Sequence, residues 1–259
     1  MGTDKAALVV NGELNLRDRG MQLLQAHTEE CYLSIASDDT RPHPHPTLPD
    51  RHEGIGPLGG LEAAIAHAPE AAWLVLACDL PLLTEEVLAR LVAERDSASE
   101  ATCVTSRFDG LPVPLCAIYE PAAAVKLAQA LENDRRCARK FLLSLERTEL
   151  ALPDPAALDN CNRPEDLEEA RLRTEHGAVP KTIEVEFCGK LRDEAGERHA
   201  HVQTTAATAA GLWEELRMSR QLSLGLDSVK VAINDELVPW THPLHEADRL
   251  ALFPPFAGG

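Results

Sequence analysis

The last six residues of this 259-residue chain, PPFAGG, cannot extend a β-sheet. Proline has no backbone N–H group, so Pro254 and Pro255 cannot donate to a ladder of hydrogen bonds. Gly258 and Gly259 have no Cβ atom, which lets the end of the chain enter a channel too narrow for any side chain. The sequence therefore predicts a slender arm that leaves a folded domain and ends in a carboxylate, rather than a tail that merely frays.

The residues before the arm predict a small domain with mixed secondary structure. Apolar side chains on every second residue indicate strands, and a longer apolar stripe indicates one helix. The predicted elements are a strand (182–187), a turn-rich link (189–196), a strand (199–203), a helix (Thr204 to about Met218), a strand closed by a turn pair (229–235) and a last strand (249–253). Strand, strand, helix and two further strands is the order of a β-grasp fold.

A change of pattern near 174–181 separates this domain from the rest of the chain. A charged helical pattern precedes it, and Gly177 and Pro180 are signals that end a helix. The predicted organisation is a first domain (1–175), a linker (176–181) and the β-grasp domain (182–259).

The first domain alternates strands and helices. The continuous apolar run at 72–78 predicts a strand buried on both faces of a parallel sheet. A helix is predicted over 87–95 with Thr84 as its N-cap, and a shorter one over 61–68, introduced by the glycine-rich stretch 56–60. These units predict a three-layer, Rossmann-like α/β domain whose ligands bind at the carboxyl ends of the strands.

Composition excludes several classes of function. A formal net charge of −17 argues against nucleic acid as a partner, because a phosphate backbone needs a basic surface. No apolar run reaches the roughly 18 residues that span a bilayer, and residues 1–5 do not form a signal peptide, so we expect a cytoplasmic protein with no membrane segment. Seven scattered cysteines, never spaced C-x-x-C, indicate neither a disulfide framework nor a zinc site. The stretch 41–52, with His43 and His45, is expected to be a solvated loop.

Three stretches of the second domain carry a family resemblance: FCGKLR at 187–192, VAIN at 231–234 and FPPFAGG at 253–259. They resemble MoaD, the small subunit of molybdopterin synthase, and more broadly the MoaD/ThiS sulfur carriers. The FPPxAGG ending favours MoaD, with the ThiS-type carriers of thiamine synthesis as the alternative.

This resemblance implies a chemistry for the arm. A carboxylate is a poor acyl donor, but adenylation gives it AMP as a leaving group that a sulfur nucleophile can displace. Gly259 would be adenylated by an E1-like, MoeB-like enzyme, converted to a thiocarboxylate and inserted with Gly258 into a MoaE-like large subunit. There it would supply sulfur for the dithiolene of molybdopterin, and Phe253 and Phe256 would dock on the partner proteins.

Four stretches of the first domain carry a second resemblance: MGTDKAAL at 1–8, GPLGGL at 56–61, CDLP at 78–81 and NCNRPEDL at 160–167. In this order they resemble MobA-like guanylyltransferases. The resemblance implies a three-layer fold of the nucleotide-diphospho-sugar-transferase kind. It also implies transfer of GMP from Mg-GTP to a molybdopterin phosphate, with Mg²⁺ as cofactor, GTP as substrate and pyrophosphate as product.

The nucleotide would be held by residues on both sides of the apolar run. Asp79 follows a predicted buried strand, so its carboxylate can hold Mg²⁺ against the phosphates, although a plain turn aspartate would look the same. Lys5 would neutralise the triphosphate as a point charge. Asp50 matches a family position that contacts guanine, whose N1–H and amino group a carboxylate can accept. Asp38 stands where the family usually has an asparagine.

The remaining implied site residues lie in two short elements. Gly56, Pro57 and Leu58 belong to the second nucleotide-binding element. Asn160 and Asn162 would position the phosphate of the pterin substrate, or would serve as cap or turn residues before a helix at Pro164.

The chain departs from the family at its first residues. Family members begin with a strand and a Leu-Ala-Gly-Gly-x-Ser-x-Arg loop whose N–H groups cradle phosphates. The sequence starts at the methionine inside that signature, so we expect strand edges without partners and either a start codon further upstream or a degraded domain. Two alternatives to a working guanylyltransferase follow: only the carrier is active, or the first domain uses CTP.

Overall fold

The computed structural model describes residues 7–10, 12, 14–107 and 109–255. It divides into two compact units, formed mostly by the residues before Asn160 and by those from Asn160 onward. In the described ranges, none of the helices combines the length and the apolar character needed to cross a bilayer.

The first unit is built from five helices and six strands among its described residues. They are, in chain order, α1 (Leu16–Gln25), β1 (Leu33–Ile35), β2 (Thr47–Pro49), α2 (Pro57–His67), β3 (Trp73–Leu76), α3 (Glu85–Ala93), β4 (Ala101–Thr105), β5 (Pro112–Tyr119), α4 (Ala123–Glu132), α5 (Ala138–Leu143) and β6 (Arg147–Leu150).

Four of these strands form a mixed sheet in the order β3-β5-β4-β6. Strand β6 runs parallel to β4, the other pairs are antiparallel, and β1 and β2 form a separate parallel pair. Side chains alternate along the central strands, so that Cys103 and Ala117 pack with α2, α4 and α5, whereas Val104 and Cys116 pack with α3. Helices therefore cover both faces of the sheet, which confirms the three-layer α/β prediction.

The prediction for β3 is wrong in one respect. The apolar run at 72–78 predicts a strand buried on both faces of a parallel sheet, but β3 pairs antiparallel with β5 and its side chains are only half-buried. The run is apolar because helices cover both faces, which does not determine the direction of the neighbouring strand. Within the described part of the chain, β1 pairs only with β2 and β3 only with β5, so each has one edge without a partner strand.

Helix α2 begins at Pro57, four residues before the predicted start at Leu61. Proline is well suited to the first turn, because its φ is already helical and its missing N–H has no helical partner there. Gly59 and Gly60 lie within the helix and face Asp50 and Ser34. A Cβ at Gly59 would lie 2.9 Å from an Asp50 carboxylate oxygen. The glycines thus serve close packing, not a loop.

Helix α3 confirms the predicted N-cap, with bounds shifted by two residues. Thr84 has the extended backbone of a cap residue, and the helix runs from Glu85 to Ala93 instead of 87–95. Its buried Leu88 and Leu91 pack on the sheet.

The second unit contains one helix that precedes the predicted linker and seven elements that follow it. They are α6 (Pro164–His176), β7 (Lys181–Phe187), α7 (Lys190–Ala195), β8 (His199–Thr204), α8 (Ala209–Ser219), β9 (Lys230–Ile233), β10 (Glu236–Val238) and β11 (Arg249–Phe253).

The five strands form one sheet in the order β10-β9-β11-β7-β8. The central strands β7 and β11 are parallel, and the other pairs are antiparallel. Helix α8 lies across one face, where Leu212 and Trp213 pack with Ile183, Val185 and Phe187. This is the β-grasp arrangement that the alternating strands predict.

Two local predictions in this unit are wrong, and one strand was missed. The link at 189–196 contains the short helix α7. Helix α8 begins at Ala209 and not at Thr204, because the Thr208 hydroxyl accepts from the Gly211 N–H at 3.2 Å and caps the helix there. Strand β10 was not predicted. It follows the turn pair 234–235, in which both residues have positive φ, as tight hairpins require.

Helix α6 packs against α8 in the second unit, although it lies before the predicted linker at 176–181. The structure therefore groups the segment from Asn160 to the linker with the β-grasp strands. The domain limits 1–175 and 182–259 remain predictions.

Candidate functional sites

The root of the predicted arm is held by the loop that follows β7. The Cys188 N–H donates to the Leu252 carbonyl at 3.1 Å, which continues the pairing of β7 with β11 by one residue. Gly189 has φ +52, and a Cβ there would lie 3.1 Å from Pro254 Cγ. A glycine at 189 thus lets the loop lie directly against the first proline of the arm. Any side chain at position 189 would therefore press on Pro254.

The predicted site residues of the arm are described only at its base. Phe253 is half-buried at the end of β11 and pairs with Lys230 of β9. Phe256, Gly258 and Gly259 lie outside the described residues, so their predicted roles stay predictions.

The sheet face opposite α8 forms a broad depression of about 890 Å³ beside the arm. Its floor is apolar and includes Leu237, which is 75% exposed. Charged side chains surround this floor, and two of them, Glu186 and Arg249, form ion pairs at 2.8 and 2.7 Å with Arg198 and Asp235. An exposed apolar patch with a charged rim is typical of a protein-binding surface. The apolar lining consists of Ala232, Leu237, Leu250, Ala251, Phe253, Pro254 and Pro255.

In the first unit, α1, β1, α2 and the whole length of β3 enclose a second cavity, of about 270 Å³. Its wall includes Ser34 of β1, Pro57 at the start of α2, and the residues of β3 as far as Cys78. The cavity therefore brings the glycine-rich element at 56–60 next to the chain that leads into Asp79. The cavity extends along all of β3, whereas the sequence predicts ligand binding at the carboxyl ends of the strands, so that ligand position stays a prediction.

Asp50 lies beside the first turn of α2. Its carboxylate is beside Gly59 and Gly60 and accepts from the Ser34 hydroxyl at 3.3 Å. Burial raises the pKa of this carboxyl, the Ser34 hydrogen bond lowers it, and the charge of Glu62 raises it further. The structure thus brings Asp50 together with the second predicted nucleotide-binding element.

The Leu58 side chain is buried in the core and only 1% exposed. Leu58 can therefore contact a ligand only through its backbone. Gly56 has φ +67 at the N-cap of α2, and Pro57 follows it in the first turn. Arg136, which sequence reasoning missed, donates to the Gly54 carbonyl at 3.1 Å and to Asp134 at 2.6 Å. The adjacent arginines at 135–136 in an acidic chain were the available signal.

The two other predicted nucleotide residues lie in loops that follow strands. Asp79 is half-buried in the turn after β3, and Asp38 is exposed after β1. Among the described residues, no three His, Cys, Asp or Glu side chains are grouped closely enough to form a metal site by themselves. A single carboxylate still suits Mg²⁺, which usually takes one or two protein carboxylates and completes its shell with water and phosphate. Lys5 lies outside the described residues.

His43 and His45 are not solvated, contrary to prediction, whereas His52 in the same stretch is exposed. The His45 Nε2 atom is 2.9 Å from Asp18, and the His43 Nε2 atom is 3.3 Å from Asp39. Each ring is largely covered, and each has its own aspartate, so the two do not form a common site.

Asn160 and Asn162 are exposed at the start of α6. The backbone N–H groups of Asn162 and Arg163 both donate to one Asp166 oxygen at 2.8 Å. The segment is therefore the capped start of a helix, as its alternative interpretation holds, and its two asparagines are at the surface. Their predicted contact with a pterin phosphate stays a prediction.

Comparison with known proteins agrees with the division of the chain into two units. The sequence model of the MobA-like NTP transferase domain matches residues 1–148, and that of the ThiS family matches residues 185–259. A molybdenum cofactor biosynthesis bifunctional protein of Synechocystis sp. is 31% identical over 170 residues, which are 64% of this chain and 48% of that protein. The chain thus spans about half the length of this relative.

Two further similarities cover more of the compared protein. A molybdenum cofactor guanylyltransferase of Xanthomonas euvesicatoria is 32% identical over 64% of this chain and 84% of its own length. The crystal structure of molybdopterin-guanine dinucleotide biosynthesis protein A from Archaeoglobus fulgidus shares the fold, with a TM-score of 0.54 and 22% identity over 67% of this chain and 92% of that one. The chain belongs to the MobA-like NTP transferase family and carries a ThiS-family domain at its C-terminal end.

Proposed function

We propose that this protein acts in the biosynthesis of the molybdenum cofactor, with a sulfur carrier in its second unit and a guanylyltransferase-like domain in its first. The names of the similar proteins support the pathway. The single observation that supports the carrier function is the root of the arm, where the loop at Gly189 packs against Pro254.

In the carrier reaction, the Gly259 carboxylate attacks the α-phosphorus of ATP on an E1-like enzyme and releases pyrophosphate. A sulfur nucleophile then attacks the acyl adenylate, AMP leaves, and a thiocarboxylate remains. The Gly258-Gly259 end delivers this sulfur in a MoaE-like large subunit. The apolar floor around Leu237 and Phe253 is the surface on which these partners dock.

In the transferase reaction, a phosphate oxygen of molybdopterin attacks the α-phosphorus of GTP, and pyrophosphate leaves. Asp79 would hold Mg²⁺, which supplies charge neutralisation at the phosphates. Asp50 would accept from the guanine edge, with Asp38 nearby in sequence, while Lys5 would contact the triphosphate. The Gly56-Pro57-Leu58 backbone would line the nucleotide, and Asn160 and Asn162 would contact the pterin phosphate.

Two variants separate these activities. Deletion of Gly259 should abolish thiocarboxylate formation and spare nucleotide binding by the first unit. Asp79→Ala should abolish Mg-GTP binding and spare thiocarboxylate formation. Loss of both properties in either variant would contradict the assignment of thiocarboxylate formation to Gly259 and of Mg-GTP binding to Asp79.

A second candidate, in which only the carrier is active, is favoured by one observation. Strands β1 and β3 border the 270 Å³ cavity, and each has an edge without a partner strand within the described ranges. A nucleotide site at this edge would be less rigid than one on a continuous sheet. If GTP, CTP and ATP with Mg²⁺ all fail to raise the thermal stability of the chain, this candidate is the better one.

A further inference from the structure

The turn that leads into helix α8 is held by a carboxylate from another helix. Both oxygens of Glu169 on α6 accept from the Ala207 N–H, at 2.9 and 3.0 Å. One of them also accepts from the Thr208 N–H at 2.7 Å and from the Thr208 hydroxyl at 2.8 Å. Both N–H groups precede the first residue of α8, and the positive dipole end of the helix also favours a carboxylate at this place. Glu169 therefore joins α6 to α8 by charge-assisted hydrogen bonds.

Gly211, in the first turn of α8, provides the room for this contact. A Cβ there would lie 2.5 Å from one Glu169 oxygen and 2.6 Å from its carboxyl carbon. Glycine weakens a helix relative to alanine. Its presence at this position is explained if any side chain would displace the Glu169 carboxylate.

The first turn of α6, three residues before Glu169, holds the predicted pterin-phosphate segment. Asp166 accepts from the backbone of Asn162 and Arg163, which fixes the segment to the first turn of α6. Asp166 and Glu169 are three residues apart on the same helix, so they connect the asparagine segment to α8 through one rigid element.

We infer that Glu169 is a positioning residue, which holds the Asn160–Asn162 segment on the β-grasp unit so that segment and carrier move as one body. The hydrogen bonds of Glu169 do not depend on the proposed function, whereas the role of the Asn160–Asn162 segment in phosphate binding rests on it. By this inference, the element that binds the substrate phosphate is part of the folded unit that carries the sulfur.

Hydrogen exchange in the full chain tests the contact. In Glu169→Ala, the amides of Ala207 and Thr208 should exchange about tenfold faster, as expected when hydrogen bonds to a charged acceptor are lost. Glu169→Gln retains an acceptor oxygen and should recover part of the protection. Glu168→Gln is the matched control, because it removes the same charge from the same helix, where Glu168 lies near Arg171 at 3.7 Å. Unchanged exchange in Glu169→Ala would overturn the inference.

The change in melting temperature on substitution of Gly211 should have opposite signs with and without Glu169. In the wild-type chain, Gly211→Ala should lower the melting temperature of the second unit, because the new methyl group displaces Glu169. In the Glu169→Ala background the same change should raise it, because alanine favours the helix. A rise in both backgrounds would overturn the inference.

A pterin with a phosphorylated side chain tests the coupling. If its fluorescence reports binding, saturation should slow exchange at Ala207 and Thr208 in the wild-type chain and not in Glu169→Ala. Binding with no effect on wild-type exchange would overturn the positioning role. If the pterin does not bind at all, the assigned ligand of Asn160 and Asn162 is wrong, and the exchange and sign tests still decide whether Glu169 joins the helices.

Discussion

Gly189 packs against the root of the arm, and the loss of stability on its substitution can be predicted. Its φ of +52 and ψ of −129 fall in a region essentially restricted to glycine. Alanine in such a conformation costs about 1–3 kcal/mol, and its Cβ would lie 3.1 Å from Pro254 Cγ. We predict that Gly189→Ala destabilises the second unit by about 1–3 kcal/mol. It should also slow sulfur loading, because pressure on Pro254 redirects the arm.

The stability of the second unit can be measured by tryptophan fluorescence. Of the three tryptophans, Trp73 lies in the first unit, and Trp213 and Trp240 lie in the second. In a Trp73→Phe background, denaturant unfolding followed by fluorescence therefore reports on the second unit alone. Loading is measured in the same background, as the rate of thiocarboxylate formation with an E1-like enzyme, ATP and sulfide.

Gly196 is the matched control for this experiment. It has φ +76 at the end of α7, but an added Cβ would meet nothing within 4 Å. Gly196→Ala should cost about 1–2 kcal/mol from its left-handed backbone alone, and it should load sulfur at the wild-type rate. Wild-type loading by Gly189→Ala, or equal slowing in both variants, would refute the reasoning about the root of the arm.

Asp79→Asn should remove the thermal stabilisation that Mg²⁺ and GTP give to the first unit, and retained stabilisation would exclude Asp79 as the metal ligand. Burial raises the pKa of Asp50 above its ordinary 3.8, so ionising this carboxyl opposes folding above the folded-state pKa and has no effect below the unfolded-state pKa. Asp50→Asn should therefore stabilise the first unit at neutral pH and lose this advantage as the pH falls through the folded-state pKa, which thermal unfolding at several pH values can check. The exposed Cys137 should react with iodoacetamide in the native chain, whereas Cys103 and Cys116, whose burial raises the pKa of each to about 12, should react only after unfolding, as peptide mass mapping would show.

The local sequence pattern was sufficient to predict much of the secondary structure of the second unit. Strands β7 and β11 follow from strict alternation, because one sheet face packs against α8 and the other is open. The arm stays a prediction from the chemistry of proline and glycine, because residues 256–259 lie outside the described part of the chain. Helix α8 was predicted to start too early, since the sequence offers two threonines, and only tertiary structure makes Thr208 the cap and Thr204 part of a turn.

Long-range contacts account for what the sequence could not predict. The direction of β3 depends on its partner β5, which lies far along the chain. The glycines of α2 pack against Asp50, and Gly211 packs against Glu169, so their purpose is visible only when both partners are in place. Arg136 contacts the carbonyl of Gly54, 82 residues away, which no spacing rule indicates.

The mass of the C-terminal peptide tests the central claim most directly. Trypsin cleaves after Arg249, so the last peptide comprises residues 250–259. After incubation with an E1-like enzyme, ATP and a sulfur donor, this peptide should gain the mass difference between one sulfur and one oxygen, and a chain lacking Gly259 should show no gain. An unchanged peptide, in a reaction where the same enzyme loads a known MoaD-type carrier, would contradict the assignment of a sulfur carrier.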